Sequence, residues 1–390
     1  MTEKRVWRIA MIPGDGIGTE VVSEGQRVLD ALAEDSGGRF AFEWESFPWG
    51  SEYYLENGRM MAEDALETLE GFDAIYFGAV GWPGVPDHVS LWGLRIAICQ
   101  GFDQYANVRP VKLLPGVESP LRGASAESMD WVVVRENSEG EYSGLGGRNL
   151  SGRGPGKEVA IQTALFTEEG CERIMRFAFE LALKRERKKV TSVTKSNAQQ
   201  YSSVLWDEVF ARVSSEYPDV ETEQWLVDAM AARFVLRPET LEVVVASNLF
   251  ADILSDLGSA LAGSLGVAAS ANLDPQRRRP SMFEPVHGSA PDIAGEGLAN
   301  PVGALASAAL MLEHLGLEEE ARRVNRAIEA TTRCWRTCLG APSRRRAAED
   351  MALGGPWLLE SRTFAPLFTR VRGSGILRSS FAGSCIAPLL

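Results

Sequence analysis

Two aspartates spaced four residues apart are the first candidates for chemistry in this 390-residue sequence. Asp252 and Asp256 lie in the segment 247–257, SNLFADILSDL, where small and apolar residues alternate as they do in a helix. Side chains four apart on a helix are neighbours, and like charges there cost roughly 0.2–0.5 kcal/mol. A positive group from outside the segment would remove this conflict. The alternative is a helix N-terminus, where the dipole favours acids, with Asp252 in the first turn.

Asp228, in the segment LVDAM, supplies a third carboxylate. Three aspartates and a chelating substrate would form an oxygen-rich site of the kind that Mg²⁺ or Mn²⁺ prefers. Cysteine and histidine are absent from these segments, which argues against zinc or copper.

Three arginines, Arg95, Arg109 and Arg135, precede these acids in the chain. Guanidinium groups bind carboxylates through two parallel hydrogen bonds, so three converging arginines would hold a di- or tricarboxylate. Taken singly, each is more readily explained as a surface residue, although Arg135 ends a run of three valines.

Lys195 and Tyr142 are candidates for proton transfer. A lysine at the end of a strand acts as a general base when burial or neighbouring positive charge lowers its pKa. Without that context a solvated lysine is the simpler interpretation, and Tyr142 in ENSEGEYSG is equally ambiguous.

The segment 282–301, MFEPVHGSAPDIAGEGLANP, is rich in glycine and proline and contains one of only three histidines. Long irregular loops in compact domains are usually functional. A carboxylate such as Asp292 could accept hydrogen bonds from a ribose diol, which favours NAD over a 2′-phosphorylated cofactor.

Strands alternating with amphipathic helices would position these residues, a pattern typical of α/β layers. The apolar stripe between Thr19 and Glu34 predicts a helix. Strands are expected at 7–12, 73–80, 130–136, 188–195, 224–229 and 241–248. Several of them end at a polar residue, and ligands collect at the carboxyl ends of strands in α/β sheets. This regularity indicates one site rather than unrelated strand ends.

The segment GDGIG, residues 14–18, follows a strand and opens a helix, as a phosphate-binding loop does. It carries Thr19 where the dinucleotide fingerprint G-x-G-x-x-G needs its last glycine. A Rossmann fingerprint is therefore absent, and a tight turn into a helix explains the glycines equally well.

The composition favours small molecules or a second copy of the chain as partners. Forty Lys and Arg against 53 Asp and Glu give a formal charge of -13, which opposes binding to nucleic acid or anionic lipid. No apolar run approaches the roughly 20 residues of a membrane span, and the N-terminus lacks a signal-peptide pattern. Five cysteines without a CxxC pair suit a reducing cytoplasm.

Taken in order, the motifs of this sequence resemble those of the isocitrate and isopropylmalate dehydrogenase family, the metal-dependent decarboxylating β-hydroxyacid dehydrogenases. The resemblance runs from about residue 7 to about residue 330, and its last two motifs are too long to arise by chance. The motifs are IPGDGIGTEV, ENSEGEYSG, VTKSNA, VDAMA, SNLFADILSDL and EPVHGSAPDIAGEGLANP.

The resemblance implies a role for each candidate. Asp228, Asp252 and Asp256 would hold the divalent ion, with Asp228 supplied by the other subunit of a homodimer. The three arginines would bind the substrate carboxylates. Lys195, also from the other subunit, would take the hydroxyl proton, and Tyr142 would protonate the enolate formed when carbon dioxide leaves.

NAD is the implied hydride acceptor, and a monovalent cation such as K⁺ is a further expected ligand. His287, Gly288, Asp292 and Asn300 stand at the family's adenosine-contacting positions, and Gly14 would line the same cleft. The family binds NAD without a Rossmann fingerprint, so the missing glycine is expected.

A two-lobed α/β fold with mostly parallel sheets flanked by helices follows from the same resemblance. Residues 1–109 and 266–332 would form the large nucleotide-binding lobe, and residues 110–265 the small lobe for dimerisation and the metal site. The resemblance stops near Arg333. The tail 333–390 holds nine arginines against three acids, so an out-of-frame reading or a divergent extension would explain it.

Segment 78–110 most resembles the branch of the family that oxidises tartrate and D-malate. Trp92 would leave little room for an isopropyl or carboxymethyl substituent. The expected reaction is NAD- and metal-dependent oxidation of tartrate or D-malate, with or without decarboxylation. Oxidation of 3-isopropylmalate or isocitrate is the alternative reaction. A non-catalytic regulatory subunit is the alternative from another class, but such subunits generally lose ligands that this sequence keeps.

Overall fold

The computed structural model describes residues 4–338, in which strands and helices alternate as the sequence predicts. The strands are β1 Arg5–Gly14, β2 Phe40–Ser46, β3 Ala74–Ala79, β4 Ala106–Lys112, β5 Asp130–Glu136, β6 Gly146–Asn149, β7 Val159–Gln162, β8 Lys189–Thr194, β9 Glu221–Leu226, β10 Val243–Ala246, β11 Ala269–Leu273 and β12 Ser281–Pro285. The helices are α1 Gly18–Asp35, α2 Ser51–Asn57, α3 Ala65–Leu69, α4 Asp87–Ser90, α5 Ile96–Gly101, α6 Glu168–Leu183, α7 Ser202–Ser214, α8 Val227–Leu236, α9 Asn248–Leu261, α10 Val302–His314 and α11 Glu318–Cys338. A π-helix, Leu91–Arg95, joins α4 to α5.

Ten of these strands form one sheet in the order β2-β1-β3-β12-β11-β4-β5-β10-β8-β9, and β6 pairs with β7 separately. Neighbouring strands are parallel except at three antiparallel pairs, β12 with β11, β11 with β4, and β4 with β5. The strands on the β2 side therefore run opposite to those on the β9 side. The two halves meet at β11 and β4, which we call the seam. The predicted α/β fold with a mostly parallel sheet is confirmed.

Each half of the sheet has its own apolar core. On the β2 side, α2, α3 and α5 pack on β1 and β3 around Ile12, Phe47, Phe77 and Ile98. On the β9 side, α8 and α9 cover β5 and β10 around Trp131, Phe234, Val244 and Leu254. The division of the chain into lobes 1–109 with 266–332 and 110–265 stays a prediction.

Two acidic residues occupy helix positions that differ from expectation. The strand expected at 224–229 ends at Leu226, so Asp228 lies in the first turn of α8, where the helix dipole favours negative charge. Helix α9 begins at Asn248 and has no acid in its first turn. The explanation of Asp252 by a helix N-terminus is therefore wrong.

The turn between β1 and α1 packs tightly against the end of β3. A Cβ atom on Gly14, whose φ is +67°, would lie 1.9 Å from the carbonyl oxygen of Ala79. The Asp15 carboxylate fixes the turn, because it accepts hydrogen bonds of 2.7 Å from Ser51 N, Ser51 Oγ and Gly81 N. The glycines therefore allow close backbone packing, in line with the tight-turn interpretation.

The expected atypical tail lies largely outside the described residues, since residues 339–390 are not among them; residues 333–338 continue α11. No helix within residues 4–338 has both the length and the apolar character that crossing a membrane requires.

Candidate active site

A cavity of about 210 Å³ lies at the seam, between the carboxyl ends of β3 and β12 and the π-helix. Pockets that bind drug-sized ligands have volumes of roughly 300–1,000 Å³, so this smaller cavity suits a small substrate. The predicted site residues that line it are Arg95, Arg109, Arg135, Tyr142, Asp252, His287 and Gly288.

Arg109 is the positive group that the two neighbouring aspartates of α9 require. Its Nη1 lies 3.2 Å from Asp252 Oδ1 and 3.5 Å from Asp256 Oδ1. The same nitrogen donates to Ser255 Oγ at 2.7 Å. Burial and the charge of Arg135 lower the pKa of Arg109 to about 10, so it stays protonated at neutral pH.

Asp252 is held from both sides of its carboxylate. The guanidinium of Arg135, whose side chain is 3% exposed, forms an ion pair with Oδ1. The Tyr142 hydroxyl donates to Oδ2 at 2.9 Å. Burial alone would raise the pKa of Asp252, but Arg135 and Arg109 more than offset it and hold that pKa below its usual range. Asp252 is therefore ionised and fixed in position.

Asp256 has fewer partners. Its side chain is 52% exposed, and Arg109 is its one ion-pair partner among residues 4–338. Partial burial and the charge of Asp252 raise the pKa of Asp256, and Arg109 only partly opposes them. Asp256 is not among the residues that line the cavity, but it contacts Arg109, which is. Its negative charge is incompletely balanced, so a cation would bind favourably beside it.

The chemistry of these two acids fits Mg²⁺ or Mn²⁺. Mg²⁺ takes oxygen ligands, usually keeps several waters, and binds through one or two carboxylates together with substrate oxygens. In the described part of the chain, no group of three or more His, Cys, Asp or Glu side chains is arranged to hold a metal by itself. Asp252 and Asp256 would therefore hold the ion together with the substrate and a further ligand.

Lys195 and Asp228 lie away from the cavity of their own chain. Lys195 follows β8 and Asp228 follows β9, and Lys195 Nζ donates to Asp228 Oδ1 at 2.5 Å. β8 and β9 are two and three strands away from β5. At about 4.8 Å per strand, β8 and β9 lie roughly 10–15 Å from β5, the strand that carries Arg135. A single chain does not bring all the predicted catalytic and metal-binding residues together.

His287 and Gly288 form the end of the cavity beyond β12. His287 Nδ1 contacts the carbonyl oxygen of Gly288 at 2.9 Å, whereas the buried Nε2 has no hydrogen-bond partner in the described structure. Burial lowers the pKa of His287, so the ring is neutral at pH 7. A polar ligand such as a nucleotide would fit this end of the cavity, because it would satisfy the buried nitrogen.

The other predicted nucleotide-binding residues do not line the cavity. Asp292 is exposed. Asn300 Oδ1 accepts a hydrogen bond from Val302 N at the start of α10. Gly14 packs behind Ala79, which does line the cavity. Their role in binding NAD stays a prediction.

Sequence reasoning missed Glu284 and Asn107. Arg95 Nε donates to Glu284 Oε1 at 2.8 Å, and both side chains are nearly buried. A charged residue within the apolar run 281–285 was a signal for Glu284. The spacing of two between Asn107 and Arg109 was a signal for Asn107, because it places both on one face of a strand.

Trp92, which was expected to limit the size of the substrate, lies outside the cavity lining. Leu91 lines the cavity, whereas Trp92 is not among its lining residues. The Trp92 ring packs on Gly144, where a Cβ atom would lie 3.2 Å from it. Trp92 therefore contacts the turn that carries Tyr142.

Comparison with known proteins places these features in a family. The family model "Isocitrate/isopropylmalate dehydrogenase" matches residues 8–337. A probable tartrate dehydrogenase/decarboxylase of Agrobacterium vitis is 59% identical over 328 residues, which cover 84% of this chain and 91% of that protein. The D-malate dehydrogenase [decarboxylating] of Escherichia coli (strain K12) is 54% identical over 318 residues, covering 81% and 87%. The crystal structure of isocitrate dehydrogenase from Methylococcus capsulatus has a TM-score of 0.75 and 33% identity, covering 88% of this chain and 98% of that one.

Proposed function

This chain belongs to the isocitrate/isopropylmalate dehydrogenase family, and we propose that it oxidises tartrate or D-malate with NAD as hydride acceptor and Mg²⁺ or Mn²⁺ as metal ion. The observation that carries the proposal is the cavity, in which three arginines converge with Tyr142 and Asp252. Relatives named for tartrate and D-malate are 59% and 54% identical to this chain, whereas the isocitrate dehydrogenase is 33% identical. This difference favours the smaller substrates.

Each of the three arginines retains hydrogen-bonding capacity for a substrate. Arg95 bonds through Nε and Nη2, whereas Arg109 and Arg135 bond through Nε and Nη1. The remaining terminal nitrogen of each makes no hydrogen bond within residues 4–338. Three such nitrogens around a small cavity would bind the two carboxylates of a four-carbon diacid.

Tyr142 is positioned to donate a proton. Burial raises the pKa of Tyr142, and the charge of Asp252 raises it further, so the hydroxyl is protonated at neutral pH. A divalent ion, when bound, would polarise the substrate hydroxyl and its carboxylate as a Lewis acid. Asp252 and Asp256 would hold that ion, and Tyr142 would supply the proton to the carbon that loses carbon dioxide.

A second copy of the chain would complete the site, since Lys195 and Asp228 lie outside the cavity of their own chain. Helices α8 and α9 expose Val235, Leu236 and Ile253 by 42%, 73% and 58%. Ile253 is next to one of the cavity acids in the sequence. Exposed apolar surface of this kind marks protein–protein interfaces. A homodimer packed on this surface would place Lys195 and Asp228 of one copy near the acids of the other.

The reaction is tested by following NAD reduction with D-malate, L-tartrate, meso-tartrate, isopropylmalate and isocitrate. We expect turnover of D-malate or a tartrate that a chelator abolishes and Mn²⁺ restores. Activity that survives the chelator would exclude the metal mechanism. Activity confined to isopropylmalate or isocitrate would exclude the tartrate and D-malate assignment, and inactivity with every substrate would favour a regulatory subunit.

The shared site is tested by mixing two inactive variants, Lys195→Met and Asp252→Asn. A mixed dimer contains one site in which both residues are intact, so random subunit exchange should restore about a quarter of the wild-type activity. If mass spectrometry shows exchange and no activity returns, the sites are not shared.

A further inference from the structure

We propose that Asn272, a fully buried amide at the seam, positions the side chains of Arg95 and Arg109 for substrate binding. It would act through hydrogen bonds beneath the cavity and would not touch the substrate itself. The inference rests on the proposed function in one respect, because it takes both arginines to be substrate-binding residues.

Asn272 is the centre of a hydrogen-bond network in which both ends of its amide are used. Its Oδ1 accepts from Arg95 Nη2 at 3.2 Å, from Asn107 Nδ2 at 2.8 Å and from Asn137 Nδ2 at 3.0 Å. Its Nδ2 donates to Glu284 Oε1 at 2.7 Å. The same carboxylate oxygen accepts from Arg95 Nε at 2.8 Å. Arg95 is therefore held by Asn272 directly and through Glu284.

Asn107 extends the network to the second arginine. Asn107 and Asn272 are directly paired residues of the neighbouring strands β4 and β11. Asn107 Oδ1 accepts from Arg109 Nε at 3.0 Å, and its Nδ2 also donates to Ser270 Oγ at 2.8 Å. A continuous series of hydrogen bonds thus joins Arg95 to Arg109 through two amides.

The partners leave each amide a single favourable orientation. Turning the Asn272 amide by 180° would set its NH₂ group against three donors and its carbonyl against the Glu284 carboxylate. Turning Asn107 would set its NH₂ group against the Arg109 guanidinium. Both amides are fully buried, and a buried donor that faces another donor loses the whole of its hydrogen-bond energy. The network therefore aims both guanidinium groups at the cavity in one geometry.

This constraint matters for binding because an arginine side chain has many rotamers. Ordering such a side chain on binding costs conformational entropy, and a side chain that is already fixed avoids that cost. Misplacement of a binding group by about 1 Å lowers activity by roughly 100-fold. Loss of the network should therefore weaken binding of a dicarboxylate more than it weakens binding of NAD.

The test compares Asn272→Leu with Gln104→Leu by calorimetric binding of D-malate in the presence of Mn²⁺ and without NAD. Gln104 is the matched control, since it is also a fully buried amide and donates to Pro280 O at 2.8 Å without bonding either arginine. We expect Asn272→Leu to raise the Kd for D-malate by about 10–100-fold. Gln104→Leu should change it by less than about 2-fold, even if thermal unfolding shows equal destabilisation.

Wild-type protein that binds no hydroxy-dicarboxylate would refute the proposed function. If wild-type protein binds D-malate and Asn272→Leu binds it equally tightly, only the role of Asn272 is refuted. An equal loss of D-malate binding in Gln104→Leu would also refute it, because general destabilisation would then explain both variants.

Discussion

Replacing Asp252 and Asp256 singly by asparagine should separate a structural role for Asp252 from a purely ligand-binding role for Asp256. In Asp252→Asn, Arg135 loses its ion-pair partner while its side chain remains 3% exposed. Arg109 then keeps only Asp256, at 3.5 Å. In Asp256→Asn, Arg109 loses its partner at 3.5 Å but keeps Asp252 at 3.2 Å, and Arg135 keeps Asp252 as well. Asp252→Asn therefore leaves a buried guanidinium without a carboxylate partner, whereas Asp256→Asn does not.

The expected loss of stability in Asp252→Asn follows from the burial of Arg135 and Arg109. Removing one member of a buried ion pair costs about 3–5 kcal/mol, and the 29% exposure of Asp252 places the loss for Asp252→Asn at about 3 kcal/mol. With about 2.1 cal/mol/K of unfolding entropy per residue, residues 4–338 contribute ~0.7 kcal/mol/K. Asp252→Asn should therefore lower Tm by roughly 4 °C.

Asp256→Asn should leave Tm within about 1 °C of wild type or raise it. The pKa of Asp256 is raised in the folded protein, so folding disfavours its ionised form. Stability is then greatest below the usual aspartate pKa and falls as the pH rises through the raised value. A neutral asparagine removes this penalty at neutral pH.

Thermal unfolding in EDTA without substrate is the appropriate assay, because bound metal or substrate would hide the difference. Asp219→Asn, at an exposed aspartate just before β9, controls for the loss of one negative charge. If Asp252→Asn and Asp256→Asn unfold at the same temperature, or if Asp256→Asn is the less stable of the two, the role of Asp252 as the anchor of the arginines is refuted.

Single contacts elsewhere give three shorter predictions. Tyr142→Phe should lower kcat for D-malate by about 10²–10⁴-fold with little change in KM, and a change confined to KM would contradict a role in proton transfer. Gly144→Ala, at a φ of +77° and beneath the Trp92 ring, should displace the turn and lower kcat by about 10-fold in the same assay. Burial and the charge of Arg277 lower the pKa of His314 from 6.5 to about 4. The unfolded chain then binds the proton more tightly, so this stability is complete above pH 6.5 and is lost towards pH 4. In urea unfolding from pH 4 to 8, His314→Gln should reduce the change in the free energy of unfolding with pH by up to roughly 3 kcal/mol. An unchanged pH dependence would refute the lowered pKa of His314.

Local periodicity was sufficient to predict six of the twelve strands within residues 4–338 and the first long helix. The strand expected at 130–136 is β5 to the residue, and the helix expected from Thr19 to Glu34 is one residue longer at each end. The reversal of strand direction at the seam could not be predicted this way, because it depends on pairings between segments far apart in the chain.

The sequence was sufficient to predict which residue types the site contains, but not how their side chains contact one another. Conflict between Asp252 and Asp256 required a cation from elsewhere, and the structure supplies Arg109 at both carboxylates. Asn272 carries no reactive group and, unlike Asn107, has no arginine two positions away in the sequence, so only its contacts reveal it. The proposed placement of Lys195 and Asp228 in a shared site would depend on a second copy, about which one sequence carries no distance information.

The seam also constrains how the protein is made. Its paired residues Asn107 and Asn272 are 165 positions apart, so the floor of the cavity cannot close until the ribosome has passed β12. Strands β5, β8, β9 and β10 all lie between residues 130 and 246 and can pair sooner. At about 5–20 residues per second, the stretch from the end of β5 to the end of β11 takes roughly 7–27 s to synthesise, and one edge of β4 would be uncovered for that time. That interval is when chaperones would protect it from aggregating through the bare strand.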